Sequence, residues 1–291
     1  MKLLSSEIAE SACGVLEQIL SAADARRVTV SDGLGDQGQL WQELTGGQWH
    51  SIGVSEEKGG VGADLRDLVD VAETWGRHMQ PLPFLHTVVL LRWESTPERT
   101  GNSPLTCVWP SGLMPFANYA GITVVGHGTS GDDVAPSTLR PLDEFAVSLP
   151  IATTERASTL PDECLRELRV VCTAEAVGAA AAVLNMAARY ATERLAFGHP
   201  IGHFQAVKHR LANMHIDVEL ARTAVIWASQ ASDSSNVRSL RLALDAARRV
   251  ASGAIQVHGG LGYTWDAGIH LYLRHILALT KLVTSPSRGR M

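Results

Sequence analysis

The chain has 291 residues, of which 45% are apolar and 19% charged, a balance that excludes wholesale disorder and allows one to three domains with a sizeable core. Its formal net charge is −5 and no long Lys/Arg cluster occurs, so it lacks the electrostatic footprint of a DNA- or RNA-binding protein.

The first elements are helical. Met1 to Ile8 has neither the apolar core nor the small-residue cleavage site of a secretory signal, which predicts a cytoplasmic protein. Ile8, Ala12, Val15 and Ile19 recur at helical spacing, and Leu65, Leu68, Ala72 and Trp75 do so after the turn Glu57-Lys-Gly-Gly-Val-Gly62. Pro81 and Pro83 end that second series, and a shorter apolar helix is expected over Leu85 to Trp93. Residues 1–99 therefore read as an N-terminal helical domain.

Between Thr100 and Thr154 the pattern changes to short β-type runs separated by Gly, Pro, Ser and Asp. The runs are Leu105 to Trp109, Gly121 to Val125 and Glu144 to Leu149. Three such runs bury little apolar area alone, so residues 100–155 are expected to form a reduced β-domain leaning on its neighbours.

Residues 156–291 read as a four-helix bundle. Phe204, Val207, Leu211, Met214, Val218, Ala221 and Val225 alternate steps of three and four, the seam of an antiparallel bundle. Leu240, Leu244, Ala247, Ala251 and Ala254 repeat the pattern, as do Ile269, Tyr272, Ile276, Leu279 and Val283. Leu165, Leu168, Cys172, Ala179 and Met186 supply the fourth stripe, and the small Ala residues permit close helix approach. Ala176 to Ala188 is nearly apolar but too short to span a bilayer, and it contains Asn185. Cys13, Cys107, Cys164 and Cys172 show neither a CxxC pair nor zinc-ligand spacing and read as small core hydrophobes. His199, His203, His258, His270 and His275 likewise show no metal spacing.

Two segments carry chemistry. Arg194-Leu-Ala-Phe-Gly-His-Pro-Ile-Gly-His-Phe-Gln205 and Gln256-Val-His-Gly-Gly-Leu-Gly-Tyr263 both resemble the cofactor-contacting turns of acyl-CoA dehydrogenases. Those flavin enzymes desaturate acyl-CoA thioesters between Cα and Cβ. Ile52 to Gly62 is similar to the family's Gly-Gly-x-Gly loop, preceded by a helix over Leu40-Trp-Gln-Glu-Leu44, and Gly76 to Phe84 resembles a stretch of its bacterial members. The resemblance implies a mainly α fold with a small β section: an N-terminal helical domain, a reduced middle β-domain and a C-terminal four-helix bundle. It also implies FAD as cofactor, with Arg194, Phe197, Gln205, Gln256, Gly259 and Gly260 against its ADP portion. A planar guanidinium suits that task, because it makes two charge-assisted hydrogen bonds to a phosphate, and bare glycine backbone lets a dinucleotide approach closely. By itself Gly259-Gly-Leu-Gly262 would be a helix stop, and it lacks the preceding strand of an NAD fingerprint.

The family's reaction needs a carboxylate to take the α-proton while hydride passes to the flavin. One family position for it follows the last bundle helix, where this chain reads Leu279-Thr-Lys-Leu-Val-Thr284 and has no acid. The other lies about ten residues before the Gly that resembles Gly178 and lands on Leu168. Glu167 is one residue away, which on a helix turns a side chain by ~100°. Glu167 and nearby Glu163 read as solvated acids paired with Arg166 or Arg169. Glu175 sits on the apolar stripe and is expected to pair with an Arg or a backbone donor, and Asp217 and Glu219 with Arg222. The middle section also lacks the family's Thr/Ser loop and Trp-Ile-Thr/Ser strand against the flavin ring.

The resemblance implies a partner subunit, similar to the short chain of actinobacterial α2β2 dehydrogenases that shorten steroid side chains. No catalytic residue is assigned to this chain, and the base is expected from a full-length homologous partner. Two rivals stand beside this reading: a self-sufficient homomeric dehydrogenase using Glu163 or Glu167, and a non-enzymatic scaffold derived from the family.

Overall fold

The computed structural model describes residues 5–26, 37–93, 102–116, 123–124, 140–141, 146, 148–155, 158, 160–231 and 235–286. Four helices come first: α1 (Glu7–Arg26), α2 (Gln37–Gly46), α3 (Leu65–His78) and α4 (Phe84–Trp93). The periodic stripes explain them, since Ala12, Leu16 and Leu20 of α1 and Leu68, Ala72 and Trp75 of α3 are buried. Asp64 caps α3 with a reciprocal box: its side chain accepts from the Asp67 N–H, and Asp67 accepts from the Asp64 N–H.

The strands are two or three residues long: β1 (Leu105–Thr106), β2 (Leu113–Pro115), β3 (Thr123–Val124), β4 (Arg140–Pro141) and β5 (Ile151–Thr153). β1 pairs parallel with β3, and β5 lies antiparallel between β2 and β4. The run expected over Glu144 to Leu149 is corrected, because Ala146, Ser148 and Leu149 are not in a strand. The strand follows Pro150, whose carbonyl accepts from the Phe116 N–H at 2.6 Å and leaves Ile151–Thr153 in register with Leu113–Pro115. Most of the run Gly121 to Val125 lies outside the described residues, and Leu105 to Trp109 pairs only through Leu105 and Thr106.

Four long helices complete the chain: α5 (Asp162–Glu193), α6 (Gln205–Gln230), α7 (Ser235–His258) and α8 (Ile269–Thr284). A hairpin of β6 (Leu195–Ala196) and β7 (His199–Pro200) joins α5 to α6. α5 is the axis of the molecule, meeting α3 and α4 on one side and α6, α7 and α8 on the other. Every residue from Val170 to Ala180 is buried, and apart from Thr173 and Glu175 its sequence there is apolar all round instead of striped. By length and composition α5 could cross a membrane, and most of its apolar window is buried inside this fold. The α6 seam is buried at Met214, Val218, Ala221 and Val225 but half-exposed at Phe204, Val207 and Leu211, so it opens toward the hairpin end.

Candidate functional site

The hairpin end gathers the two segments that the sequence singles out. Tyr190, in the last turn of α5, stacks on His258, the last residue of α7, with ring centroids 4.4 Å apart and planes 23° from parallel. His258 Nδ1 lies 2.8 Å from the Ala254 carbonyl, which accepts its N–H and fixes the ring. After Glu193 the chain turns through β6 and β7, tied back where the Ile201 N–H donates to the Arg194 carbonyl at 2.7 Å. It then enters α6 with Phe204 as the capping residue. Arg194, Phe197 and Gln205 thus lie at the same end of the bundle as Gln256, Gly259 and Gly260.

All six are exposed. Phe197, at the hairpin tip, is 93% exposed and holds φ +53°, a left-handed conformation that costs a side chain on the order of 1 kcal/mol. Its ring meets Phe204 edge-on at 6.1 Å. Among the described residues the Arg194 guanidinium has no hydrogen-bond or ion-pair partner. Gly259 has φ +63° and ends α7, so it serves as the helix stop, and a Cβ there or at Gly260 would meet nothing within 4 Å. Open space therefore lies over both glycines, whereas Gly262 is packed against the Ile255 carbonyl. The Gln256 carboxamide oxygen accepts from the Arg210 guanidinium. Sequence reasoning missed Arg210, although the basic run Lys208-His-Arg210 at the start of α6 is visible in the sequence.

An exposed surface with an unpaired guanidinium, a second arginine and bare glycine backbone can take an anionic, phosphate-bearing ligand. These residues fit the ADP portion of a dinucleotide.

Residues 159–282 match the family model for the acyl-CoA dehydrogenase C-terminal domain. Over 252 residues the chain is 31% identical to acyl-CoA dehydrogenase IpdE2 of Mycobacterium tuberculosis, covering 80% of this chain and 78% of that protein. The chain belongs to the acyl-CoA dehydrogenase family. IpdE2 of Mycolicibacterium smegmatis is 29% identical over 297 residues, covering 96% of this chain and 94% of that protein. Two solved structures share the fold. A chain of a variant of the Tcur3481-Tcur3483 steroid ACAD superposes with a TM-score of 0.77 at 22% identity, covering 94% of this chain and 93% of that one. A chain of the ChsE4-ChsE5 complex from Mycobacterium tuberculosis gives 0.73 at 20%, covering 98% and 100%.

α8 runs unbroken through Leu279 to Thr284, burying Leu279, Leu282 and Val283 and exposing Lys281, with no acid among them. Glu163 pairs with Arg166 at 2.7 Å, as its spacing suggests. Glu167 is corrected: it is buried, not solvated, and neither Arg166 nor Arg169 is its partner. Arg92 Nε and Trp93 Nε1 each donate to its Oε2 at 3.0 Å. The reason is that α4 packs across the start of α5 and brings Arg92, which also donates to the carbonyls of Gly53 and Ala63.

Glu175 pairs not with an Arg or a backbone donor but with His275. Its Oε1 lies 3.1 Å from His275 Nε2, and His275 Nδ1 lies 2.8 Å from Ser148 Oγ. This chain of contacts joins α5, α8 and the β section. Asp217 is likewise corrected, since it binds Arg249 of α7 at 2.6 Å, because Arg222 is five residues on and so about 140° round the helix. Glu219 does bind Arg222, which also clasps Glu73 of α3. That clasp raises the guanidinium well above its ordinary range, through the Glu73 hydrogen bonds first and in spite of partial burial.

Proposed function

We propose that this chain is one subunit of a heteromeric, FAD-dependent acyl-CoA dehydrogenase, an α2β2 assembly in which it lends phosphate-binding groups to a base-bearing homologous partner. The observation that carries the reading is the contrast between the two ends of the chemistry. The hairpin end presents Arg194, Phe197, Gln205, Gln256, Gly259 and Gly260 outward, with the Arg194 guanidinium unpaired among the described residues. The carboxylates of the bundle helix are committed elsewhere or lie at the surface beside an arginine.

When bound, FAD would supply the hydride acceptor for the acyl Cβ, and a carboxylate of the partner would take the α-proton. Arg194 would hold the pyrophosphate through charge-assisted hydrogen bonds. Phe197 and Gln205 would flank that group, and the backbone of Gly259 and Gly260 would let the nucleotide lie close. The partner supplies the base and the greater part of the acyl pocket. The acyl group is a steroid side-chain CoA thioester on the strength of the resemblance, and the site of action is the cytoplasm.

The homomeric alternative is not favoured, because Glu167 is held by Arg92 and Trp93 inside the fold and Glu163 by Arg166 at the surface. The test is FAD retention by the purified complex. Arg194→Ala is expected to lower it about tenfold, the worth of a charge-assisted hydrogen bond to phosphate. Unchanged retention, with the complex intact, would favour the scaffold reading and overturn this one.

A further inference from the structure

At the hairpin end, one side chain of the nucleotide surface is already held by another. Gln256, in the last turn of α7, is exposed, and its carboxamide oxygen accepts from a guanidinium N–H of Arg210, two turns into α6. A guanidinium carries only donors, so the group it meets on Gln256 has to be the oxygen. The two N–H donors of the carboxamide then point away from Arg210. The chemistry of the pair fixes the amide's orientation, which diffraction at ordinary resolution would leave open.

What lies near Gln256 is open space. A Cβ on Gly259 or Gly260 would meet nothing within 4 Å, so none of the described residues fills the volume beside those glycines. Arg210 is itself exposed and on a different helix, so the contact ties the N-terminal part of α6 to the end of α7 across the mouth of the bundle. Among the described residues this is the one hydrogen bond made by the Gln256 side chain.

We infer that Arg210 is a positioning residue for the nucleotide, holding the Gln256 carboxamide so that it presents N–H donors to a hydrogen-bond acceptor, a ring nitrogen or a phosphate oxygen of the ADP portion. This rests on the reading of the hairpin end as the FAD-binding surface. Freed from Arg210, the carboxamide would turn over and spend part of its time offering an oxygen to an acceptor, which repels it. The preorganised orientation removes that loss. Lysine, also a donor-only cation on a long stem, can do the same work less rigidly.

The experiment uses the complex with its base-bearing partner, stripped of flavin and titrated with FAD by fluorescence, with melting temperature read alongside. Arg210→Ala is expected to weaken FAD binding about fivefold and Arg210→Lys to restore most of it, the worth of one oriented hydrogen bond. Gln256→Glu keeps the tie to Arg210 but offers no donor, so it weakens FAD binding with no fall in melting temperature. In a Gln256→Ala background Arg210→Ala should have no further effect, because its action runs through Gln256. The inference is overturned if Arg210→Ala binds FAD as the unaltered complex does, or if it weakens binding equally with Gln256 absent, which would make it a direct ligand or a distant charge. Arg194→Ala, run in parallel, separates the two levels: no effect there sinks the FAD reading itself, whereas a loss there with none at Arg210 sinks only the positioning role.

Discussion

Gly76 of α3 and Gly178 of α5 lie at a crossing where each helix rests on the other's backbone. A Cβ on Gly76 would come within 2.0 Å of the Glu175 carbonyl oxygen, and one on Gly178 within 2.0 Å of the Glu73 carbonyl oxygen. The same two glutamates send their side chains to Arg222 of α6 and His275 of α8. The crossing therefore fixes the N-terminal helices on the bundle, and through it the end that bears Arg194.

Neither glycine can accept a methyl group without parting the helices. Gly178→Ala should destabilise the fold by about 2 kcal/mol net, the overpacking cost exceeding the helix-propensity gain of alanine. Gly76→Ala should do the same, and a chemical-denaturation midpoint equal to that of the parent chain would refute the crossing.

That contact shows what the sequence could and could not disclose. The helices are readable because their apolar residues recur at three and four, and α5 is readable even where Val170 to Ala180 loses its stripe, because it stays apolar but for Thr173 and Glu175. The strand Ile151–Thr153 was not, since three residues after a proline carry too little alternation to outweigh the longer run before them. The cofactor-facing residues were legible as two local motifs. Their arrangement was not: Tyr190 on His258 and Arg210 on Gln256 are pairings between helices. His275 is 100 residues from Glu175, and Arg92 is 75 from Glu167, so no local pattern announces either pair.

The Arg92–Glu167 pair provides a second prediction. Arg92→Ala removes the cation from the buried Glu167 carboxylate, which keeps the Trp93 N–H, and takes a donor from two loop carbonyls; it should cost about 3 kcal/mol in an equilibrium unfolding experiment. Glu167→Gln, tested in the complex, should leave turnover with acyl-CoA within about twofold, because the residue is structural in this account. A loss of turnover with flavin content retained would restore Glu167 as a base.

His275 is wholly buried between Glu175 and Ser148. His275→Leu strands the Glu175 carboxylate and should destabilise by about 3 kcal/mol, whereas His275→Leu with Glu175→Leu should recover much of that loss, since two apolar partners need no hydrogen bond. Equal stability of the single and double variants would show that the two side chains are not coupled.

Stability should fall on both sides of neutrality. Burial pushes His86 from its ordinary 6.5 down to about 4, with its ring edge-on to Trp109 and Phe116. The unfolded chain thus takes up a proton that the folded chain refuses, and its stability contribution, complete above 6.5, declines by roughly 3 kcal/mol as pH falls to about 4. His78 behaves in the opposite sense. Burial lowers it, but the bond to Asp24 at 2.5 Å and the charge of Glu17 outweigh that and raise it above 6.5. Its contribution to docking α1 on α3 is complete below 6.5 and is lost as pH rises through the raised value. Melting temperatures from pH 4 to 9 should show both limbs, with His86→Leu flattening the acid one and His78→Gln the alkaline one. A melting profile unchanged by either substitution would contradict these assignments.

The account turns on where the flavin is held. The most direct measurement is the flavin-to-protein ratio of the chain purified alone and of the chain purified with its base-bearing homologue, together with dehydrogenation of an acyl-CoA by each. The chain alone should be colourless and inactive, and the complex yellow and active. A yellow homo-oligomer of this chain that oxidises thioesters unaided would contradict it.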